Sequence, residues 1–427
     1  MVVESNKTGP VRKMSVVEHA IAGMDGQAAD ARLAESLRLG QTCGLSVSLS
    51  RNFHGLEGQW GMVSADAIHT PFQEFDWLEN WLSEYDASER PEPIIVMLRD
   101  NETLVGILPL CLEKKMGATV LGWMGGDISD YCAPILARDW LQKLTGEDLD
   151  ELLKMVAKSV PETDAIALCY QPDFLSGLQN PFVSYGQSIR SGESHCLELN
   201  GPWSDYYPAL RSSKTRRRLQ QKWNRLSKRG VLSFRTVRGS ASLKEAMDKI
   251  IDWKIEQLDA RGSRNPFRSS DGSTTPLRST ITRYVTRRGS GRTRPIRIYG
   301  LFLDDEMIAG YVTFTEGGRV SVFINAYAAD QHTDCSPGQL LMVKILELAV
   351  RAGQSSFDLM RGGEPYKIEW CRSHHVLTDN LKAYSALGIL SLKMHLAKKA
   401  LKNYLLARPE LMNILQSGNR LVGGRGN

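Results

Sequence analysis

The sequence writes one hairpin twice. Residues 97–110 read MLRDNETLVGILPL and residues 300–314 read GLFLDDEMIAGYVTF, and the two lines align by eye. In each, apolar runs flank a short acidic turn, Asp100-Asn101-Glu102 in one and Asp304-Asp305-Glu306 in the other. Apolar runs bounded by turn residues form paired antiparallel strands. The expected strands are 94–99 and 103–112 in the first half and 296–303 and 307–315 in the second. Residues 319–326 add a third strand to the later set. Two readings account for the match: two ordinary hairpins, or an internal duplication. A chain of 427 residues is long enough for the two domains that a duplication implies.

Around the hairpins, helix patterns alternate with strand patterns. Thr70 can cap, and Pro71 can open, a helix over 72–85 whose apolar face holds Phe72, Phe75, Trp77, Leu78, Trp81 and Leu82. Further helices fit 148–159, 212–229, 243–260 and 277–288, and strands fit 45–49, 119–123, 133–135, 165–169, 232–237 and 357–359. The fold class is therefore mixed, α/β or α+β, with mostly antiparallel sheets flanked by helices. The expected division is a mobile arm over 1–44, in which 14–24 fits a short helix, a first domain over 45–200, a second over 201–400, and a basic tail over 401–427. Residues 262–276, rich in Ser, Gly, Arg and Pro, read as a mobile loop. Residues 380–406 read as a basic helix that either packs on its own domain, as such tails more often do, or lies on an anionic membrane surface.

Composition excludes several classes. With 42% hydrophobic and 24% charged residues the chain is an ordinary globular one, and a formal charge of +5 is too small to demand nucleic acid. The seven cysteines, at 43, 111, 132, 169, 196, 335 and 371, make no CxxC pair and no zinc-ligand spacing. That pattern fits reduced thiols in a cytoplasm-like compartment, and no metal site is expected. The doublet His374-His375 reads as a loop pair. No stretch approaches the roughly 18 uninterrupted apolar residues of a membrane span, and no secretory signal is expected. The expected location is the cytoplasm, including the inner face of the membrane. There is no Gly-x-Ser-x-Gly elbow, no Gly-x-x-x-x-Gly-Lys-Ser/Thr phosphate loop and no Gly-x-Gly-x-x-Gly fingerprint.

Chemistry is expected where a strand runs through a glycine turn into a helix. Ser336, Pro337, Gly338, Gln339 and Leu340 form that junction. Backbone N–H groups at a helix start lack intrahelical partners and carry the positive end of the dipole, so a diphosphate can rest there. Pro337 suits the first turn, and Gly338 lets backbone approach a ligand. A helix start without a ligand is the plain alternative. A second candidate is the stretch between Tyr206 and Lys244, which has no acidic residue and crowds its front part with lysine and arginine. On a helix, Lys214, Arg217 and Arg218 share a side suited to a diphosphate, a lipid-linked sugar or a tRNA backbone. A solvated helix face is the alternative. No aromatic interleaving of the nucleic-acid-binding kind accompanies it.

A family resemblance rests on Pro71-Phe72-Gln73 with Trp77-Leu78, Leu108-Pro109-Leu110, Asp130-Tyr131, the run Ser213 to Leu219, Ala326-Tyr327, the run Ser336 to Leu341, and Tyr366-Lys367 with Trp370. In this order and spacing, over roughly residues 45–400, the chain resembles the GNAT-type acyltransferases of the CelD/BcsL-like branch. Those proteins look like two GNAT folds in tandem, similar to the Fem peptidyltransferases. The resemblance implies acyl transfer with acyl-CoA, acetyl-CoA or longer, as co-substrate and with no permanently bound cofactor. The implied acceptor is an amine or hydroxyl of a sugar or cell-envelope or exopolysaccharide precursor, small or lipid-linked, and anionic. The Fem-like alternative uses aminoacyl-tRNA, the only reading in which nucleic acid is a partner. A third alternative is a non-catalytic GNAT-derived binding module.

In the GNAT fold the pantetheine arm lies between two splayed strands and the diphosphate rests on the next helix turn, here 335–339. Gly338 is the only glycine of that turn, fewer than the family's usual loop carries. Amine acylation must remove a proton from the nucleophile, hold the oxyanion and protonate the leaving thiolate. The implied roles are Asp358 and Glu364 as proton relays, Tyr327 and Tyr366 as donors to the leaving group or orienters of substrate, and Lys367, with Lys214, Arg217 and Arg218, as counter-charges to an anionic acceptor. The first domain becomes a degenerate copy whose 125–130 segment lacks the strand–Gly–helix turn.

Overall fold

A computed structural model of the chain describes residues 37–126, 128–262, 265–269, 274–286, 296–371 and 374–406. The expected helix over 14–24, the end of the 277–288 helix and the tail beyond 406 lie outside those residues. One sheet of 15 strands runs through the molecule. Its main path, edge to edge, is Leu37–Thr42, Leu45–Ser50, Glu92–Asp100, Thr103–Lys115, Ala118–Trp123, Ala165–Pro172, His374–Ala383, Gln187–Glu198, Ser356–Arg361, Arg319–Tyr327, Glu306–Glu316, Ile296–Leu303 and Leu232–Thr236. Helices flank it, so the sheet is mixed and mostly antiparallel, as the sequence pattern required.

Both hairpins form where expected. Val96 pairs with Leu108 in the first and Ile298 with Val312 in the second. The acidic turns follow from backbone geometry. Asn101, Asp304 and Asp305 have φ of 52°, 48° and 69°, a region that Asn and Asp tolerate better than other side-chain-bearing residues. Each hairpin then continues alike: a third antiparallel strand, a helix, and a strand parallel to the third. The helices are Gly146–Ser159 and Pro337–Arg351. The parallel pairs are Val120–Gly122 with Ala165–Ala167, and Arg319–Ser321 with Ser356–Asp358.

The halves then trade strands. Gln187–Glu198, which ends the first half, pairs with Ser356–Arg361 of the second, and His374–Ala383 pairs with Ala165–Pro172 of the first. These two strands also pair with each other, from Gln187 with Leu381 to His195 with His374. A core cluster spans both halves besides the one under each. In it Phe72 packs on Phe314 and Phe323 with ring centroids 5.5 and 5.3 Å apart, and Trp77 meets Tyr284 at 5.5 Å. Edge-on aromatic packing of this kind adds to area burial.

Several local expectations need correction. The single helix over 72–85 is a 3-10 turn, Pro71–Gln73, and a helix, Phe75–Ser83, because Glu74 is extended at ψ 141°. Leu37–Thr42 is a strand, inside the stretch expected to be a mobile arm. The expected helix over 380–406 begins only at Ala386; residues 380–383 end the strand His374–Ala383, so His374 and His375 are strand residues and not a loop pair. For His374–Ala383, pairing with Ala165–Pro172 and Gln187–Glu198 decides the conformation, and local propensity does not.

Candidate functional site

The two parallel strands of the second half pair over only three residues each. Beyond Ser321 and Asp358 they part, and Ser356–Arg361 takes its other neighbour, Gln187–Glu198, along Cys196 to Ser194. Facing the parting is the start of the Pro337–Arg351 helix. Its first turn is fixed by three features. Ser336 is left-handed at φ 53° and ψ 58°; Tyr311 Oη donates to Gly338 O at 3.1 Å; and Gly338 lies flat on Tyr327, where an added Cβ would come within 3.1 Å of the ring. No side chain caps this helix start.

The basic helix Ser213–Ser227 is delivered to the same turn. Lys222 Nζ donates to Ser336 Oγ at 2.6 Å. Burial, and then Arg218 and Arg225 nearby, lower the Lys222 ammonium from its ordinary value. Arg229 and Arg225 pair with Asp334 at 2.8 and 3.4 Å, and the Arg229 hydrogen bond holds that carboxyl down at about 2. Of the three cations read from sequence, Arg218 lies near Lys222; Lys214 and Arg217 are exposed and make no ion pair among the described residues. Lys222, Arg225 and Arg229 are the basic residues that reach the turn.

On the other side of the parting lies a polar group centred on Asn325. Lys254 Nζ donates to Asn325 O at 3.3 Å and lies 3.5 Å from its Oδ1; Tyr366 Oη and Tyr311 Oη each lie 3.5 Å from the Asn325 side chain. Burial pushes the Lys254 ammonium down to about 8, against the pull of Glu364. Burial raises Glu364, but Lys367 and Lys254 outweigh it and leave the carboxyl below its ordinary range. Burial raises Tyr366 and Tyr311, so both phenols keep their protons. Sequence reading missed Lys254 and Asn325. The first is one polar residue among many on the helix Ser240–Ala260, and the second precedes the Ala326-Tyr327 motif without standing out.

Two sequence candidates have other work. Asp358 is 1% exposed and stands where the strands part. Its carboxylate accepts from Tyr131 Oη at 3.0 Å and from the Met360 N–H at 2.7 Å, with Arg319 at 3.5 Å. Those partners make it a clasp between the halves and leave it poorly placed as a proton relay. Lys367 is 5% exposed; its Nζ donates to Arg361 O at 2.7 Å and pairs with Glu364 at 3.0 Å. It therefore positions Glu364 instead of meeting an acceptor. Gly362 has φ 136°, which favours glycine, and a Cβ there would displace the Glu364 carboxylate, whose Oε2 lies 2.2 Å from its position. The first half adds Asp130, which lies 3.5 Å from Arg361 Nε and whose pKa burial raises. The structure thus brings together Tyr327, Ser336 to Leu340, Glu364, Lys367 and Tyr366.

No curated protein sequence matches the chain. Among solved structures, FemX aligns with a TM-score of 0.51 at 10% identity, over 77% of this chain and 96% of that one. L-PGS from Bacillus licheniformis aligns at 0.45 and 12% identity, over 77% and 97%, and a tandem GNAT protein from the clavulanic acid biosynthesis pathway at 0.39 and 13%, over 79% and 98%. The FemX likeness is one of fold. Residues 213–368, which contain the basic helix, the parted strands and the helix turn, match the family described as the acetyltransferase (GNAT) domain.

Proposed function

We propose that this protein is an acyltransferase, CelD/BcsL-like within the GNAT group, that moves an acyl group from acyl-CoA to an amine or hydroxyl of a sugar or cell-envelope precursor in the cytoplasm. The observation that carries this reading is the parting of Arg319–Tyr327 from Ser356–Arg361 in front of an uncapped helix start to which Lys222 is delivered. In this reading Ser336, Pro337, Gly338, Gln339 and Leu340 hold the donor's diphosphate, with Lys222 and Arg218 as counter-charges.

The acceptor approaches from the side of Lys254, Glu364 and Asp130. Its nitrogen or oxygen attacks the thioester carbonyl, the C–S bond breaks, the acceptor gives up one proton and the leaving sulfur gains one. Lys254, lowered to about 8, is partly deprotonated at neutral pH and takes the acceptor's proton. Glu364, held charged by Lys367, orients Lys254 and the acceptor. Tyr366 keeps its proton until it donates to the leaving sulfur.

Aminoacyl transfer from aminoacyl-tRNA is the second reading, supported by the exposed Lys214 and Arg217 beside the site. Isothermal titration with acetyl-CoA, a longer acyl-CoA and aminoacyl-tRNA separates the two. Micromolar acyl-CoA binding that is lost in Gly338→Trp supports the first. Absence of acyl-CoA binding together with steeply salt-dependent tRNA binding replaces it with the second.

A further inference from the structure

The helix Ala386–Leu406 is built inside out. Its inward face is small and polar. Gly388 lies so close to Asp164 that a Cβ would meet its carbonyl oxygen at 2.0 Å, Ser391 Oγ donates to Lys115 O at 3.1 Å, and Asp379 receives His395 at 3.3 Å and Lys399 at 2.5 Å. Those four positions, three or four residues apart, fix one face to the first half's sheet. The opposite face is apolar and exposed. Leu387, Leu390, Met394, Leu401 and Tyr404 are 42% to 59% exposed, and Ala397 is exposed between them.

The spacing of these six, 387, 390, 394, 397, 401 and 404, alternates three and four without a break. Such a stripe either pairs with another helix or lies on an apolar medium. The charges decide between the two. Lys393 and Lys398 flank the stripe on opposite sides, and residues 386–406 contain no Asp or Glu. In a parallel pair of copies, Lys393 of one faces Lys398 of the other; in an antiparallel pair, each lysine faces itself. Both arrangements set like charges together. An anionic lipid surface satisfies stripe and lysines at once. No described helix is long and apolar enough to cross a membrane, so this one would lie in the plane of the interface.

We propose that the outward face of Ala386–Leu406 is a docking surface for an anionic lipid leaflet. The proposal is independent of the transfer chemistry, since none of these residues belongs to the parted-strand site.

The test is flotation of the full-length chain with two kinds of vesicle, one of phosphatidylcholine alone and one carrying about 30% phosphatidylglycerol to give an anionic surface. Wild type is expected to bind only the anionic vesicles, and to release in high salt. Lys393→Glu/Lys398→Glu is expected to weaken binding at least about tenfold, and Leu390→Glu/Met394→Glu to abolish it. All four side chains are exposed, so melting temperatures are expected to stay within about 2 °C of wild type. Wild type failing to bind, or both variants binding as well as wild type, overturns the proposal. A concentration-dependent dimer that Leu390→Glu/Met394→Glu dissolves, without vesicle binding, overturns it in favour of a second copy of the chain.

Discussion

Both halves part a pair of parallel strands, and the chain that follows turns inward in only one of them. In the first half the chain after Ala118–Trp123 turns inward. Ile128, Ser129, Tyr131, Cys132 and Ala133 are buried, Trp77 Nε1 donates to Ser129 Oγ at 3.3 Å, and the Cys132 N–H ties back to Tyr170 O at 3.1 Å. In the second half the chain after Arg319–Tyr327 stays outside. Asp330, Gln331, Thr333 and Asp334 are exposed, and Arg229 holds Asp334 against the basic helix. The helix starts differ in the same sense. Thr145 and Asp148 cap the first-half helix reciprocally, whereas no side chain caps the second. One topology thus yields a closed copy and an open one, and the route of a single loop separates them.

The largest expected effect tests whether chemistry belongs to the open half. Lys254→Met should lower kcat by about 10²- to 10³-fold with little change in donor affinity. The pH profile carries the sign. A lysine lowered to about 8 acts as a base above that value, so wild-type kcat/KM should climb with pH and level off past about 8. The climb should vanish in the variant. A variant that keeps the same profile would remove Lys254 from the reaction. Next in size, Gly338→Trp should weaken acyl-CoA binding by at least about thirtyfold, roughly 2 kcal/mol, by filling the space between turn and strand. Unchanged affinity would move the donor elsewhere.

The hairpin repeat was legible in the sequence because strand alternation and acidic turns are local signals, and the helix turn at Ser336–Leu340 was legible for the same reason. The closure of one half and the opening of the other were not. Asp130-Tyr131 stood out only as part of a resemblance; its place depends on Asp358, 227 residues further along the chain. Asp358 itself looked like a catalytic carboxylate because nothing near it in sequence shows that Tyr131 and Arg319 already occupy it. The traded strands were invisible for a like reason: Gln187–Glu198 and His374–Ala383 are defined by their partners, and the second was partly read as helix. Lys254 gains its character from burial against Asn325, which no helix pattern records.

Smaller effects sharpen the contrast. Tyr131→Phe removes a donor from the buried Asp358 and should cost about 1–3 kcal/mol of stability, read by denaturant titration, while donor affinity holds. If affinity falls as well, the closed half braces the parting of the open one. Thr145→Ala strips the cap from the closed half's helix and should cost about 1 kcal/mol, again with no change in donor affinity. A loss of affinity there would mean that the first half binds donor after all.

The smallest expected effect is that of Lys222→Ala. Lys222 is a half-buried cation whose hydrogen bond to Ser336 is made without any ligand, so removing it frees the turn as well as deleting a charge. A diphosphate bound at the helix start would lose one counter-charge, and acyl-CoA affinity should drop by about fivefold, near 1 kcal/mol. The drop should shrink as salt rises from about 50 to 500 mM, since a partly exposed pair is screened over that range. A loss that persists unchanged in high salt would mean that Lys222 acts by shaping the Ser336 turn. Tighter binding in the variant would mean that the Lys222–Ser336 hydrogen bond holds the turn in a form that must open before the donor binds, and would make the open half a gated site in place of a standing one.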